Sequence, residues 1–429
     1  MTTSEFILQH RLSNPRDLAL QARRYPDVDM PYALNQIQGW QTARQKLPSW
    51  ASCDGVVYPP HLNMEQCSSE PTARYKQEVA LRWLNKLGIG QGGATTSMAD
   101  LTGGFGVDFS FTSRCFASAT YVERNSSLCD VVSGNLPRLG ISNANVVCAE
   151  AEDYLATMPQ QTMLFLDPAR RDEHGAKTVL IADCTPDVCR LLPQLMSKAR
   201  FVMLKLSPML DWHKAIADLK GTVDEVHIVS VGGECKELLL VLAGKVSVSS
   251  VDSGSLENGV RVYCVDIMPK AEADGEDKRS EFCYTIGGAA DNPPTLNPQP
   301  STLNSQLSTL NSQFLFEPNA SIMKAGCFAE LSQAYGVEAI GPNSHLFVSS
   351  GRVEQFPGRK FAIEAVCTLN KRQLKQTLGT LKQANIAVRN FPMSVAELRK
   401  RLKLRDGGDT YIFATTTIEG EHVLIICRK

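Results

Sequence analysis

Ala99-Asp100-Leu101-Thr102-Gly103-Gly104-Phe105-Gly106-Val107-Asp108 packs three glycines into four positions directly after a short apolar run. The pattern predicts that a strand over 98–101 ends here and that a helix begins. Residues without a Cβ let backbone N–H groups come close to a ligand, and the start of the following helix favours a negative group. A nucleotide-like ligand suits such a loop, and so does an ordinary tight turn. No Lys-Ser or Lys-Thr follows the last glycine, which argues against a triphosphate-binding P-loop. The spacing is not the G-x-G-x-x-G of dinucleotide sites either.

The flanking sequence points to a parallel sheet. Short apolar runs at 98–101, 119–123, 145–148, 163–167 and 201–206 alternate with helical stretches, the pattern of strands covered on both faces. Two further strands, 225–231 and 238–243, are separated only by Gly232-Gly233-Glu234-Cys235-Lys236-Glu237, which is too short for a crossover helix. They are expected to form an antiparallel pair closing an otherwise parallel α/β sheet. Such sheets bind ligands outside the carboxyl ends of the strands, where strand order reverses.

Three acidic strand exits follow from that rule. Glu123, ending the second strand, is placed to accept hydrogen bonds from ribose hydroxyls. Glu150, after the third, offers an acceptor for an adenine amino group. The fourth strand runs into Asp167-Pro168-Ala169-Arg170-Arg171. Either Glu123 or Glu150 taken alone also suits a solvated strand end. The fifth strand leads into Lys205-Leu206-Ser207-Pro208, where Lys205 reads equally as a cation facing the catalytic side and as a cap on strand-end carbonyls.

The composition limits the partners. A chain of 429 residues suggests about three domains. With 44 Lys and Arg against 45 Asp and Glu, the net charge is −1, so a nucleic-acid site must be a local patch. The 13 cysteines form no C-x-x-C pair and no zinc spacing, so no metal and no disulfide framework is expected, which fits a reducing cytoplasm. Neither a leader over 1–10 nor a run of about 18 apolar residues is present, so the expectation is a cytoplasmic protein with no membrane span.

Outside the sheet, helical spacing predicts helices over 6–22 and 75–87. Between them lies Glu65-Gln66-Cys67-Ser68-Ser69-Glu70-Pro71-Thr72-Ala73-Arg74-Tyr75-Lys76, where Ser69 reads as an N-cap and Pro71 as a first-turn residue. Strands are predicted at 246–251 and 260–267. A seven-residue repeat over 291–313, built on Thr-Leu-Asn, has too few apolar positions for a coiled coil and reads as a disordered insert. The C-terminal part reads strand 361–367, helix 371–384 and strand 387–389. A helix capped reciprocally by Ser394 and Glu397 and a hairpin of 411–415 with 423–427 follow. Arg389, Arg399, Lys400, Arg401, Lys403 and Arg405 cluster here with only Glu397 opposing them. That patch suits an RNA backbone, or simply the wet face of a helix.

The glycine loop, Glu123, Glu150 and Asp167 to Arg170, in this order on successive strands, resemble the class I S-adenosylmethionine-dependent methyltransferases, whose Rossmann-like sheet ends in an antiparallel strand. The resemblance implies that Asp100, Thr102, Gly103, Gly104, Gly106 and Asp108 surround the amino-acid end of S-adenosyl-L-methionine. It places Glu123 on the ribose and Glu150 with Ala151 at the adenine. Thr102 stands where many members carry Gly. Asp167-Pro168-Ala169-Arg170 takes the place of the D-P-P-Y type motif of amino-group methyltransferases, which implies that Asp167 accepts a hydrogen bond from a target N–H. Its last two positions depart from that motif, so no aromatic surface for a flipped base is provided. Arg170 and Arg171 suit a phosphate or carboxylate, or a solvated loop. Ser207 stands where a carbon methyltransferase needs a cysteine in this or the preceding motif, which favours a nitrogen or oxygen acceptor.

The 65–76 segment looks like the lid of several RNA-modifying methyltransferases, which implies substrate contacts from Glu70, Thr72 and Lys76. The stretch from Arg389-Asn390-Phe391-Pro392 to Gly407-Gly408-Asp409-Thr410-Tyr411 resembles the THUMP-like domain of a bacterial methyltransferase family, in which a ferredoxin-like region precedes it. The expected organisation is a helical region 1–90, a cofactor-binding core 91–244, a ferredoxin-like domain 245–351 and a THUMP-like domain 352–429. Structured RNA, tRNA or rRNA, is the implied substrate, with Arg171, Lys205, Ser207, Arg399 and Lys403 on the substrate side. Methylation of a small molecule or protein, and RNA binding without turnover, are the alternatives.

Overall fold

The computed structural model describes residues 1–90, 95–170, 180–243, 259–269, 277–287 and 313–429. Arg171, the strand expected over 246–251 and the repeat up to Ser312 lie outside the described residues. The rest forms two compact units: 1–226 with the residues from 237 to 243, and 227–236 with the residues from 259 onward.

The first unit opens with helices α1 (Thr3–His10), α2 (Pro15–Leu20), α3 (Met30–Lys46), α4 (Pro48–Ala51), α5 (His61–Gln66) and α6 (Glu70–Lys86). The helix expected over 6–22 is therefore broken. Pro15 has no N–H to continue α1, and the Asn14 side chain accepts the N–H of Arg16 and starts α2 afresh. Phe6, Leu18, Met30, Ala33 and Ile37 close a small core beneath these helices.

The sheet of this unit contains β1 (Ser97–Asp100), β2 (Ser118–Glu123), β3 (Ala144–Cys148) and β4 (Gln161–Leu166). After the short pair β5 (Ala169–Arg170) and β6 (Cys184–Thr185) come β7 (Ala199–Leu206), β8 (Val223–Val231) and β9 (Glu234–Leu242), of which residues 227–236 count with the second unit. Helices α7 (Val107–Thr112), α8 (Ser126–Arg138), α9 (Ala151–Thr157), α10 (Val188–Lys198) and α11 (Trp212–Asp218) connect them. The strand order is β3-β2-β1-β4-β7-β9-β8. From β3 to β7 every pair is parallel, and β9 runs antiparallel to β7. The expected sheet, parallel with an antiparallel closing strand, is the one observed. Between β1 and β4 the order reverses, which opens a crevice at their carboxyl ends. Glu237, expected in a connection, instead lies within β9 with its side chain buried.

The second unit holds the antiparallel hairpin of β10 (Val260–Met268) and β11 (Lys278–Ile286). It also holds a seven-stranded sheet of β12 (Phe314–Pro318), β13 (Glu338–Ala339), β14 (Phe347–Ser349), β15 (Gly358–Thr368), β16 (Asn385–Arg389), β17 (Thr410–Thr416) and β18 (His422–Arg428). Its order is β13-β14-β12-β15-β18-β17-β16. Alternation buries both faces: Phe413, Ile425 and Cys427 join one core, while Ile412, Leu424 and Ile426 join the other. The helix expected over 371–384 stops at Leu378, because Gln383 and Ala384 pair with Arg405 instead. The reciprocal cap of Ser394 and Glu397 is present. Among the described residues no helix is long and apolar enough to cross a membrane.

Candidate functional site

β1 delivers the buried Asp100 to the crevice, where its Oδ1 accepts the N–H of Thr102 at 3.0 Å. The loop then folds against β2: the N–H of Gly103 donates to Val122 O at 2.9 Å, and that of Gly104 to Glu123 Oε2 at 2.9 Å. Gly106, with φ of 77°, turns the chain into α7. Gly103 has no room for a side chain, since a Cβ there would lie 2.1 Å from the Tyr121 ring. Thr102 has a definite task, for its Oγ1 accepts the N–H of Asp167 at 2.6 Å and ties the first strand exit to the fourth.

These exits surround a cleft of about 310 Å³. Asp100, Thr102, Gly103, Gly104, Gly106, Asp108, Glu123, Glu150, Ala151, Asp167, Ala169 and Lys205 all line it. Pro168 leads into β5, where Arg170 pairs with Cys184. The Ser207 hydroxyl accepts the N–H of Met209 in the turn after β7. Glu150 is exposed at the start of α9, and Glu123 Oε1 accepts the N–H of Asn125 at 2.9 Å.

The lid residues require a correction. Glu70 is buried and accepts from the N–H of Ser49 and from Arg74, Thr72 donates to Ser69 O, and the Lys76 side chain is fully enclosed. All three are buried within the protein, and none of them lines the cleft. Gln66, Cys67 and Ser68 of this segment line the cleft, together with Asn63 just before it. Ser69 stands at the N-cap of α6 and Pro71 in its first turn, as expected, but the Ser69 hydroxyl donates to the Thr72 hydroxyl and accepts no helix N–H.

Lys76 belongs to a chain of alternating charges. Its Nζ lies 2.6 Å from Glu237 Oε1 and 3.2 Å from Asp108 Oδ1. Asp108 Oδ2 accepts from Ser68 Oγ at 2.7 Å and lies 3.8 Å from Lys205 Nζ, which donates to Asp167 Oδ2 at 2.5 Å. Lys205, expected to face the substrate, is thus bound to Asp167. Burial raises the Asp108 pKa, but Lys76 and Lys205 outweigh it and the carboxyl is held below its ordinary range. Burial likewise works against the Lys205 charge, yet Asp167, Asp108 and Glu237 raise its pKa. Glu237 is pushed up by burial in spite of the two lysines.

Burial also pushes the Asp100 carboxyl well above the usual range. The folded protein therefore keeps this proton to a higher pH than the unfolded chain, and Asp100 costs stability as pH rises above about 3.9. Asp100→Asn, which retains the acceptor for Thr102, is expected to raise the melting temperature at pH 7. The increment should vanish below about pH 4, and a scan of thermal unfolding against pH checks this.

Residues 314–357 match the family model of a ferredoxin-like domain, and residues 358–429 that of a THUMP domain-like module. The whole chain also matches the crystal structure of a proposed methyltransferase from Porphyromonas gingivalis W83. The identity is 27%, the match covers 100% of this chain and 97% of that one, and the TM-score is 0.78. The chain is a methyltransferase-fold protein ending in a ferredoxin-like and a THUMP-like domain. An rRNA methylase from Streptococcus thermophilus covers 39% of the chain and 94% of its own, at 12% identity and a TM-score of 0.29. A proposed methyltransferase from Streptococcus mutans, in complex with S-adenosylhomocysteine, covers 35% and 88% at 10% identity and a TM-score of 0.27. No curated protein matches the sequence.

In the THUMP-like domain the basic cluster is less free than its sequence suggests. Arg399 donates to Asp406 Oδ1 at 2.6 Å and to Ala384 O at 3.1 Å, so it ties the helix to its neighbours. Arg389 pairs with Glu317 at 2.7 Å. Lys400, Arg401, Lys403 and Arg405 are exposed, and Lys403 ends the helix with φ of 56°.

Proposed function

We propose that the chain is an S-adenosylmethionine-dependent methyltransferase that modifies a nitrogen or oxygen of structured RNA. The observation that carries this reading is the single cleft that gathers Asp100, Glu123, Glu150 and Asp167 from four successive strand exits at the switch point. The residues fit the cofactor. A Cβ on Gly104 would meet nothing nearer than Thr102 O at 3.8 Å, so this part of the loop is open to a ligand. The loop and Asp100 would hold the amino-acid end, Glu123 the ribose hydroxyls and Glu150 the adenine amino group. When bound, the cofactor supplies a methyl group on a sulfonium.

The chain's own contribution is positioning. Thr102 fixes the Asp167 backbone and Lys205 fixes Oδ2, so Asp167 can accept an N–H from the target and align its lone pair. The reading is supported by the full-length match to a proposed methyltransferase and, for RNA, by the THUMP-like domain.

Calorimetric titration with S-adenosylhomocysteine tests it. Wild-type protein is expected to bind, and Glu123→Ala to bind about 10- to 100-fold more weakly, the size of one lost hydrogen-bonding carboxylate. A wild-type protein that does not bind would overturn the proposal. For the RNA part, Lys400→Glu with Arg401→Glu is expected to weaken binding to total rRNA. The slope of log affinity against log salt should fall by about 1.4 if both contact phosphates of single strands. An unchanged slope in filter binding would remove this patch from the interface.

A further inference from the structure

We propose that Lys205 is a positioning residue for Asp167, held in place through Asp108 by the buried Lys76–Glu237 pair. This rests on the reading of the cleft as a methyl-transfer site. Lys205 comes from β7 and Asp167 from the exit of β4, two neighbouring parallel strands, so the sheet itself sets their approach. The ammonium is nearly enclosed, its side chain 12% exposed, whereas the Asp167 side chain is 39% exposed towards the cleft.

The arrangement divides the labour of one carboxylate. Oδ2 is occupied by Lys205 at 2.5 Å, which stops the group from turning and leaves Oδ1 for the target. On its other side the ammonium sees Asp108, whose Oδ2 is pinned by Ser68 and whose Oδ1 faces Lys76. Lys76 in turn rests on both oxygens of Glu237, at 2.6 and 2.7 Å. Glu237 and Lys76 do not line the cleft and act only through the next charge. The net charge of the Lys205–Asp167 pair is zero, and that neutral pair faces the place given to the transferable methyl.

The test compares affinities for cationic S-adenosylmethionine and neutral S-adenosylhomocysteine, measured by calorimetry on the full chain. Lys205→Met leaves a lone negative charge, so the preference for the cation is expected to rise by about threefold or more. Asp167→Asn removes the nearer of the two carboxylates that flank Lys205, leaving Asp108 at 3.8 Å, and should lower the preference by a similar factor. Lys205→Arg keeps the pair and should keep the wild-type ratio. A merely structural role for Lys205 would move both affinities together, leaving the ratio unchanged in Lys205→Met, and that result overturns this inference while the methyltransferase reading stands. Wild-type protein that binds neither compound defeats the reading itself. Should Lys205→Met fail to fold, Asp167→Asn and Lys205→Arg still decide, because an unmoved ratio in the first or a shifted ratio in the second overturns the proposal.

Discussion

Lys76→Met is expected to lower the free energy of unfolding of the first unit by about 3–5 kcal/mol. Nothing near Lys76 can be rehydrated cheaply, for its side chain is 0% exposed and that of Glu237 only 3%. Methionine fills the space but leaves Glu237 as a buried charge without its partner. Burial already pushes the Glu237 carboxyl up, so in the variant it takes a proton more readily and the loss should be smaller at pH 5 than at pH 8. The molecule carries its own reporter, because the 4 tryptophans, at positions 40, 50, 83 and 212, all lie in the first unit. Their fluorescence during urea unfolding follows that unit alone. Lys76→Met with Glu237→Leu should recover most of the loss, since replacing both members of a buried pair by apolar groups is often close to neutral. A cost under about 1 kcal/mol for the single variant would mean that the pair is solvated.

The second large effect is expected from Gly103→Ala. The added Cβ would lie 2.1, 2.5 and 2.6 Å from three atoms of the Tyr121 ring. Tyr121 is fully buried, sits in β2 between β1 and β3, and donates its hydroxyl to Gly104 O, so the ring cannot withdraw. The loop must move instead, against the hydrogen bond from Gly103 to Val122. Overpacking of this kind costs about 1–3 kcal/mol. On the proposed function the displaced amides should also cost more than about tenfold in affinity for S-adenosylhomocysteine. Gly104→Ala is the matched control. Its Cβ meets open space, and φ of 55° makes only the backbone penalty of about 1 kcal/mol. Equal destabilisation by the two substitutions would contradict the packing argument.

The sheet was legible because its signals are local. Apolar runs of strand length, glycines at one strand exit and acids at the next ones are read within a few residues, and the reciprocal Ser394–Glu397 cap spans only four. Lys76–Glu237 and Lys205–Asp167 were not legible, because ion pairs join residues distant in sequence and leave no periodicity. Glu237 was further hidden by its place before the run from Leu238 to Leu240, where a charge reads as the end of a turn. The basic cluster misled for the same reason: Arg389 and Arg399 look unopposed until folding brings Glu317 and Asp406 beside them. For Glu70 and Thr72, a polar sequence suggested an exposed lid, but hydrogen bonds to Ser49 and Ser69 let both residues be buried.

The 161 residues that separate Lys76 from Glu237 have a consequence for synthesis in the cell. A ribosome adding about 5–20 residues per second delivers Glu237 roughly 10–30 s after Lys76 has been made. During that interval α6 can dock only with Lys76 facing Asp108 at 3.2 Å, and without the carboxylate on which it rests at 2.6 Å in the finished protein. The charge balance around Lys76 is therefore completed only when β9, the last strand of the first unit's sheet, has been made.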